Sequence, residues 1–233
     1  SALSAVNTGA NNIGIGNQAG AAMTTGSSNI AIGSNALDAE DTGTQSIAIG
    51  PSALTTQNND TDSNNICIGY EAGELITTGR WNHFIGTQAG DDFDTEHSNL
   101  GIGYRALGGS IAGGEYNVAI GNSSLDAVTS ADDNVAIGYY AGSALTTGGA
   151  GGGRNIFIGS NAGDSVDTGY GNVIIGTQAG SSNSNGIGAD PTSGYRNILI
   201  GPFANMNDAT HSHAIVMGYA IDCVGDRFTF GKP

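Results

Sequence analysis

The sequence has little positive charge. Its 233 residues include 6 Lys and Arg against 21 Asp and Glu, and the net charge at pH 7 is −15. Nucleic-acid binding needs clusters of Lys and Arg that neutralise phosphates, and anionic membrane surfaces also attract basic segments. No apolar run approaches the roughly 18 residues of a membrane-spanning helix. We therefore expect neither a nucleic-acid partner nor membrane insertion.

Cysteine is equally scarce. The two cysteines, Cys67 and Cys223, lie far apart and form no C-x-x-C pair, so no metal or redox motif is indicated. A disulfide between them would have to join distant parts of the chain. We expect two unpaired thiols.

Glycine, by contrast, is abundant, with 40 residues, and 38% of the residues are hydrophobic. The apolar residues recur in one signature, Asn–apolar–small or apolar–Ile–Gly, as in Asn29-Ile30-Ala31-Ile32-Gly33. A second position that recurs in the repeats, usually Ala, lies three residues after the closing glycine. A Thr-Gly often ends the unit. The closing glycines lie at positions 16, 33, 50, 69, 86, 103, 121, 138, 159, 176, 201 and 218, so that the base period is 17 residues.

A period of 17 is too short for two packed helices, and each unit contains one short strand bounded by Asn and Gly. The sequence therefore predicts an all-β fold, a parallel β-solenoid of about 12 coils, with an Asn ladder at the start of the strands. We assign residues 1–221 to the solenoid and 222–233 to a C-terminal segment that leads to a further domain. Ala2-Leu3 and Thr8-Gly9 fit the second half of a unit, and we expect the chain to begin in mid-repeat.

The strands are apolar at all three central positions. If the first and third residues point into the coil, the middle residue faces outward, and an apolar stripe there needs a cover. Three chains around one axis are the simplest closed arrangement. We therefore predict a homotrimer whose interface consists of the middle residues: Ala31, Ala48, Cys67, Phe84, Ala119, Ala136, Phe157, Ile174, Leu199 and Val216.

Strands such as Asn29 to Gly33, followed by Ser34-Asn35-Ala36-Leu37, resemble the head repeats of YadA-type trimeric autotransporter adhesins. They resemble the repeats of bacteriophage tail fibres at least as closely. Arg227 to Lys232 is similar to the segment that precedes a self-cleaving chaperone domain in many phage fibres. The resemblance implies a left-handed β-roll, a homotrimer, and attachment to a host-surface glycan or receptor. It also implies a location in a virion tail fibre or at a cell surface.

Catalytic motifs are not supported. Gly14 to Ala19 and Gly101 to Ala106 match the dinucleotide pattern G-x-G-x-x-A, but both are copies of the repeat and lack its strand–turn–helix context. No nucleophile elbow or H-E-x-x-H accompanies the four histidines. His211 and His213 could share one face of a strand and bind a metal, although two solvated loop histidines are the favoured explanation. We predict no catalytic residue and no enzymatic activity.

Two kinds of candidate binding residue remain. Asn58, Asp60 and Asp62 alternate as oxygen ligands of Ca²⁺ often do, although a solvated turn is the favoured explanation. No cofactor other than Ca²⁺ is indicated. Aromatic side chains beside Asn and Asp suit carbohydrate, which offers apolar C–H faces and hydroxyl groups. The predicted ligand-binding residues are Trp81, Tyr116, Tyr140, Arg154, Tyr170 and Tyr195.

The function favoured by these features is a fibre segment that attaches to a host surface. A purely structural shaft, with recognition located elsewhere, is the first alternative. An ice-binding solenoid is the second, although Thr is absent from many coils. A polysaccharide-cleaving spike would need paired carboxylates, and their pairing cannot be read from the sequence.

Overall fold

The structure is a computed structural model of the chain. It describes residues 1–59, 62–109, 113–147, 153–181, 193–206, 210–223 and 228–230, and of residues 222 and 223 the backbone only. The chain divides into two compact units, Ser1–Glu115 and Tyr116–Pro233. Each unit is a parallel β-solenoid, and no described residue is helical. The predicted fold class is thus confirmed. Among the described residues, accordingly, there is no helix long and apolar enough to cross a membrane.

The first unit contains six strands of three residues, one in each coil. They are β1 Ile13–Ile15, β2 Ile30–Ile32, β3 Ile47–Ile49, β4 Ile66–Ile68, β5 His83–Ile85 and β6 Leu100–Ile102. Each strand pairs in parallel with the next, and equivalent positions of the repeat lie side by side, as in Ala31↔Ala48.

The second unit continues the same pattern. Its repeat strands are β7 Val118–Ile120, β8 Val135–Ile137, β9 Ile156–Ile158, β10 Val173–Ile175, β11 Ile198–Ile200 and β13 Ile215–Met217. Three further strands are β12 Asn205–Met206, β14 Asp222–Cys223 and β15 Phe228–Phe230. β12 pairs with β14, and β15 pairs in parallel with β13. The segment that follows residue 221 therefore contributes strands to this unit.

Each coil turns at two corners that flank its strand. The strand-closing glycine has φ between 128° and 147° in all twelve coils, a region open essentially to glycine. A Cβ on Gly33 would lie 2.4 Å from the carbonyl oxygen of Gly50 in the next coil. Glycine is therefore required both by the backbone conformation and by the close approach of the neighbouring coil.

The residue before the ladder position and the second residue after the strand-closing glycine adopt left-handed backbone conformations in all twelve coils. Most of them carry side chains, for which this conformation costs about 1–2 kcal/mol. Hydrogen bonds between coils offset the cost: the Trp81 amide donates to the Ser63 carbonyl at 3.0 Å, and the Gln88 amide donates to the Tyr70 carbonyl at 2.8 Å. We call the two residues before the ladder position the pre-strand corner, and the two residues after the strand-closing glycine the post-strand corner.

The predicted Asn ladder is present and buried. Asn29 shows its bonding: its Oδ1 accepts from the Ser46 amide at 2.9 Å, and its Nδ2 donates to the Gly43 carbonyl at 2.8 Å. The same bonds recur in the second unit, where Asn155 donates from its amide to Asn134 Oδ1 at 2.9 Å. Each ladder side chain thus joins two coils and closes its own coil.

The predicted orientation of the strand residues was wrong. The first and third residues face outward, and the middle residue points into the coil, where it is completely buried. This holds for every residue that was assigned to the trimer interface: Ala31, Ala48, Cys67, Phe84, Ala119, Ala136, Phe157, Ile174, Leu199 and Val216. These side chains contact their own solenoid and are not available to a partner chain. The outward apolar stripe consists instead of the first and third residues of the strands.

The middle residue points inward because the interior of a 17-residue coil is narrow. It is filled by side chains of complementary volume. In most coils a small middle residue is paired with a buried Leu four positions after the strand-closing glycine, and a large one with a glycine at that position. The first kind comprises Ala31/Leu37, Ala48/Leu54, Gly101/Leu107 and Ala119/Leu125; the second comprises Phe84/Gly90, Phe157/Gly163 and Ile174/Gly180. Two small middle residues are followed by glycine instead. A Cβ on Gly20, after Gly14, would lie 2.9 Å from Leu3 Cδ2, and a Cβ on Gly142, after Ala136, would lie 2.5 Å from the Phe157 ring of the next coil. Leu199 is followed by Asn205.

A third interior position lies seven residues after the strand-closing glycine. It is apolar and buried in most coils, as in Met23, Ile76 and Val128. Two successive coils carry Glu40 and Gln57 there instead, also buried. Gln57 Nε2 donates to Glu40 Oε2 at 2.7 Å, and the Gly43 amide donates to Glu40 Oε1 at 2.6 Å. Burial raises the pKa of Glu40, although these hydrogen bonds oppose the shift.

Candidate ligand-binding surface

The pre-strand corner places side chains of successive coils in columns. Because its second residue has the left-handed conformation and its amide bonds the preceding coil, equivalent side chains repeat at the strand spacing of about 4.8 Å. Five of the six predicted ligand-binding residues lie at this corner. They are Trp81 in the first unit and Tyr116, Arg154, Tyr170 and Tyr195 in the second.

Tyr140 lies elsewhere, at the post-strand corner of its coil. Its ring packs edge-on against Tyr139, with ring centroids 4.5 Å apart and an interplanar angle of 85°. The six predicted residues therefore do not form one surface. Tyr140 belongs to a separate aromatic pair on the other side of the strand.

Trp81 and Tyr116 are the most exposed of the predicted aromatic residues, at 52% and 58%. The Trp81 ring meets the imidazole of His97 edge-on at 6.1 Å, one coil along the same corner. The His97 ring is in turn held in place, because its Nδ1 accepts from the Arg80 amide at 3.0 Å. This pair is an exposed aromatic surface with no cation over the ring faces among the cation–π contacts of the described residues.

Arg154 is exposed and paired. Its Nε lies 3.6 Å from the Asp133 carboxylate at the same corner of the preceding coil. The Arg154 amide also donates to the Asp132 carbonyl at 2.8 Å. The charge of Arg154 is therefore at least partly balanced within the protein.

Tyr170 and Tyr195, in the second unit, stack on one another. Their rings are parallel within 1° and have centroids 4.9 Å apart, which is the spacing of adjacent coils. Arg196 places its guanidinium Cζ 5.9 Å from the centroid of Tyr170 and 5.8 Å from that of Tyr195. The imidazole of His213 meets the Tyr195 ring edge-on at 5.3 Å. We call these four residues the tyrosine–arginine cluster.

Sequence reasoning identified the two tyrosines but missed Arg196, and it considered His213 only as a partner of His211. A signal was available. Tyr170 and Tyr195 both stand two residues before a ladder Asn, and Arg196 and His213 both stand one residue before a ladder position. Equal position in the repeat implies neighbouring columns, so the four side chains could have been grouped.

The candidate Ca²⁺ residues, Asn58, Asp60 and Asp62, lie in the first unit. Asp60 lies outside the described residues. Asn58 and Asp62 are exposed, and Asp62 Oδ1 accepts from Thr44 Oγ1 at 2.5 Å. Among the described residues there is no group of three His, Cys, Asp or Glu side chains that could hold a metal ion. The Ca²⁺ site remains a prediction.

Acidic side chains cluster on another surface of the first unit. Burial, together with the charge of Asp92, raises the pKa of Asp91 to about 6. Burial and the charges of Glu71 and Asp92 also raise the pKa of Glu74. This cluster contrasts with the tyrosine–arginine cluster of the second unit, which contributes positive charge.

Comparison with protein-family models, with curated proteins and with solved structures found no match to this chain. The proposal for its function therefore rests on the geometry described above and on the repeat resemblance.

Proposed function

We propose that the chain is a non-enzymatic segment of an adhesive fibre, in which three copies associate side by side and present their corners to a host surface. The observation that carries this proposal is the outward apolar stripe of the strands. The location of the fibre, in a virion tail or at a cell surface, is proposed from the repeat resemblance alone.

The stripe is almost unbroken in each unit. In the first unit, the outward positions of β1 to β6 are Ile or Leu except for His83. In the second, the outward positions of β7 to β11 and β13 are Ile, Val or Met throughout. Ile13 and Ile15, in β1 at the end of the stack, are 47% and 59% exposed, and most outward residues of the other strands are partly exposed. Regular apolar columns that remain partly exposed indicate a surface that a partner covers.

Association of identical chains fits this stripe better than a globular partner does. Each coil presents the same two apolar residues at a spacing of about 4.8 Å, so a copy with the same period matches it along its length. Closed rotational symmetry buries the stripe of every copy, whereas an open arrangement leaves apolar edges exposed. The trimer is the closed state that the resemblance favours.

The outward positions of the strands do not support the ice-binding alternative. A flat ice-binding face would carry regular Thr side chains, but no outward position of β1 to β11 or β13 is Thr. The shaft alternative differs from the adhesive proposal only in whether the corners bind a ligand. Surface binding therefore decides between them.

The test of assembly is the native mass measured by sedimentation at micromolar concentrations, for the wild type and for Ile32→Lys/Ile49→Lys. We expect three chains for the wild type and one chain for the variant, because two charges per copy would be buried unpaired. Thr25→Lys/Thr95→Lys adds the same charge at exposed positions away from the stripe and should remain trimeric. A monomeric wild type would overturn the assembly proposal.

A further inference from the structure

The tyrosine–arginine cluster carries a positive charge, Arg196, in a chain whose net charge is −15. The described residues include four arginines and no lysine, and two of the arginines, Arg154 and Arg196, are at the same corner of the second unit; the others are Arg80 and Arg105. No carboxylate of the described residues forms an ion pair with Arg196, in contrast to Arg154. Arg196 is exposed and contacts the two tyrosine rings instead. Its hydrogen-bonding fork is thus available to an anion.

Gly171 and Gly153 keep the cluster open. Gly171 takes the position of Arg196 in the preceding coil, and a Cβ there would lie 3.5 Å from Arg196 Cγ. A larger side chain would fill the space over which Arg196 lies. Gly153 takes the position of Tyr170 in the preceding coil and contributes no side chain beside that ring. The tyrosines are half-buried, and their positions are fixed by backbone hydrogen bonds between coils, such as that from the Arg196 amide to the Tyr170 carbonyl at 2.9 Å.

A guanidinium group over parallel aromatic rings favours a ligand that combines an anionic group with an apolar face. Arginine binds carboxylates and sulfates through two parallel N–H donors, and aromatic faces pack against the C–H faces of a sugar ring. Holding the guanidinium against the rings also limits the side-chain entropy that binding would cost. His213, at the edge of Tyr195, supplies a further polar group on the same surface.

We propose that Tyr170, Tyr195, Arg196 and His213 form a binding site for an anionic saccharide, a sugar chain that bears carboxylate or sulfate groups. The inference rests on the proposed adhesive function for its biological role, but not on the trimer. The negative net charge does not oppose it, since charges farther away than about 8 Å are largely screened at physiological ionic strength. Single-stranded nucleic acid also stacks on aromatic residues, but it requires a basic groove along its backbone, and one exposed unpaired arginine does not provide that groove.

The experiment measures binding of the native protein to four immobilised probes: polygalacturonate, heparin, dextran and oligothymidylate. We expect binding to polygalacturonate, heparin or both, none to dextran, and none to oligothymidylate. The two anionic polysaccharides separate carboxylate from sulfate recognition. Raising NaCl from 50 to 500 mM should weaken the interaction at least several-fold, because it depends on a charge pair at the surface.

Arg196→Ala should lower the affinity for the anionic saccharide at least tenfold, and Tyr170→Ala/Tyr195→Ala should do the same. Arg196→Lys should retain part of the binding, since it keeps the charge but not the planar fork. Tyr104→Ala is the control, an exposed aromatic residue of the first unit that directly follows a strand-closing glycine and lies outside the pre-strand corner, and it should change nothing. Circular dichroism should show that all variants stay folded.

Three results would overturn the inference: a wild-type protein that binds neither anionic polysaccharide, an Arg196→Ala protein that binds normally, or a preference for oligothymidylate. Sedimentation of the same samples separates this outcome from a failure of the proposed assembly. A trimer that binds no saccharide refutes the site alone, and a monomer that binds saccharide through Arg196 refutes the assembly alone.

Discussion

Exchanging the two residues that fill one coil offers a sharp test of the interior packing. In the coil of β5, Phe84 and Gly90 share the interior, and a Cβ on Gly90 would lie 2.3 Å from Phe84 Cε2. In the coil of β3, Ala48 and Leu54 fill the same two places, with Leu54 at φ 51° and completely buried. The double variant Phe84→Ala/Gly90→Leu converts the first arrangement into the second.

Each single change should be costly. Phe84→Ala removes a fully buried ring and should destabilise the coil by about 3–5 kcal/mol. Gly90→Leu should cost about 1–3 kcal/mol through overpacking, and about 1–2 kcal/mol more because Leu must adopt a φ near 58°. In the double variant the Leu side chain occupies the space that the ring vacates. We expect the double variant to be at least about 2 kcal/mol more stable than the sum of the single effects predicts.

Recovery should be incomplete for a structural reason. A Cβ on Gly101, in the next coil, would lie 2.9 Å from Phe84 Cδ1, so the Phe84 ring also covers this glycine. Leu at position 90 does not extend in that direction. A small void should remain beside Gly101, and the strain of a left-handed Leu also persists.

Solenoids can unfold coil by coil, so the assay should report on this coil as well as on the whole chain. We suggest denaturant midpoints together with hydrogen exchange of peptides that cover residues 82–107. The control is Phe84→Ala/Gly163→Leu, which combines changes in different units and should be additive. If the effects of Phe84→Ala and Gly90→Leu were additive, the two side chains would not share one interior volume and the reasoning would be refuted.

Two further predictions concern buried ionisable groups. Because burial raises the pKa of Glu40, its ionisation destabilises the fold; that penalty is absent below its unfolded pKa and complete above its folded pKa. The stability of the wild type relative to Glu40→Leu should therefore increase as pH falls from 7 to 4 in thermal unfolding, and a constant difference would contradict this. Burial also raises the pKa of the Cys67 thiol. In a Cys223→Ser background it should resist thiol reagents at pH 8 until the protein is denatured, and rapid native labelling would show that the coil opens.

The repeat period and the parallel stacking could be predicted because every coil carries the same signature. The orientation of the strands could not be decided from alternation alone, since alternation shows that Ile30 and Ile32 share a face but not which face is inside. The prediction took the two large residues to face inward, and this choice alone placed Ala31 on the outside. The sequence does show that a large residue at one position goes with a small one at the other, as in Phe84 with Gly90 and Ala48 with Leu54. This inverse relation of side-chain size indicates that the two positions share one interior.

The candidate site was predictable only in part. Tyr170 and Tyr195 were identified as aromatic corner residues, but their parallel stacking depends on equal backbone conformation in adjacent coils. Arg196 was missed because charged residues one position from a ladder Asn differ between coils, from Asp133 to Arg196. The conformation of a side chain that lies over its neighbours depends on the space beside it and not on the repeat signature. For Arg196 that space is left by Gly171.

The ladder has a consequence for how this protein can change. Asn134 and Asn155 are 21 residues apart and Asn172 and Asn197 are 25 apart, yet each pair makes the same bonds as pairs separated by 17. Strand register is equally unaffected, with Val135↔Ile156 and Val173↔Ile198. Strand alignment is thus re-established in every coil, whatever the length of chain between. Foreign peptides could therefore be grafted ahead of the pre-strand corner without disturbing the coils on either side.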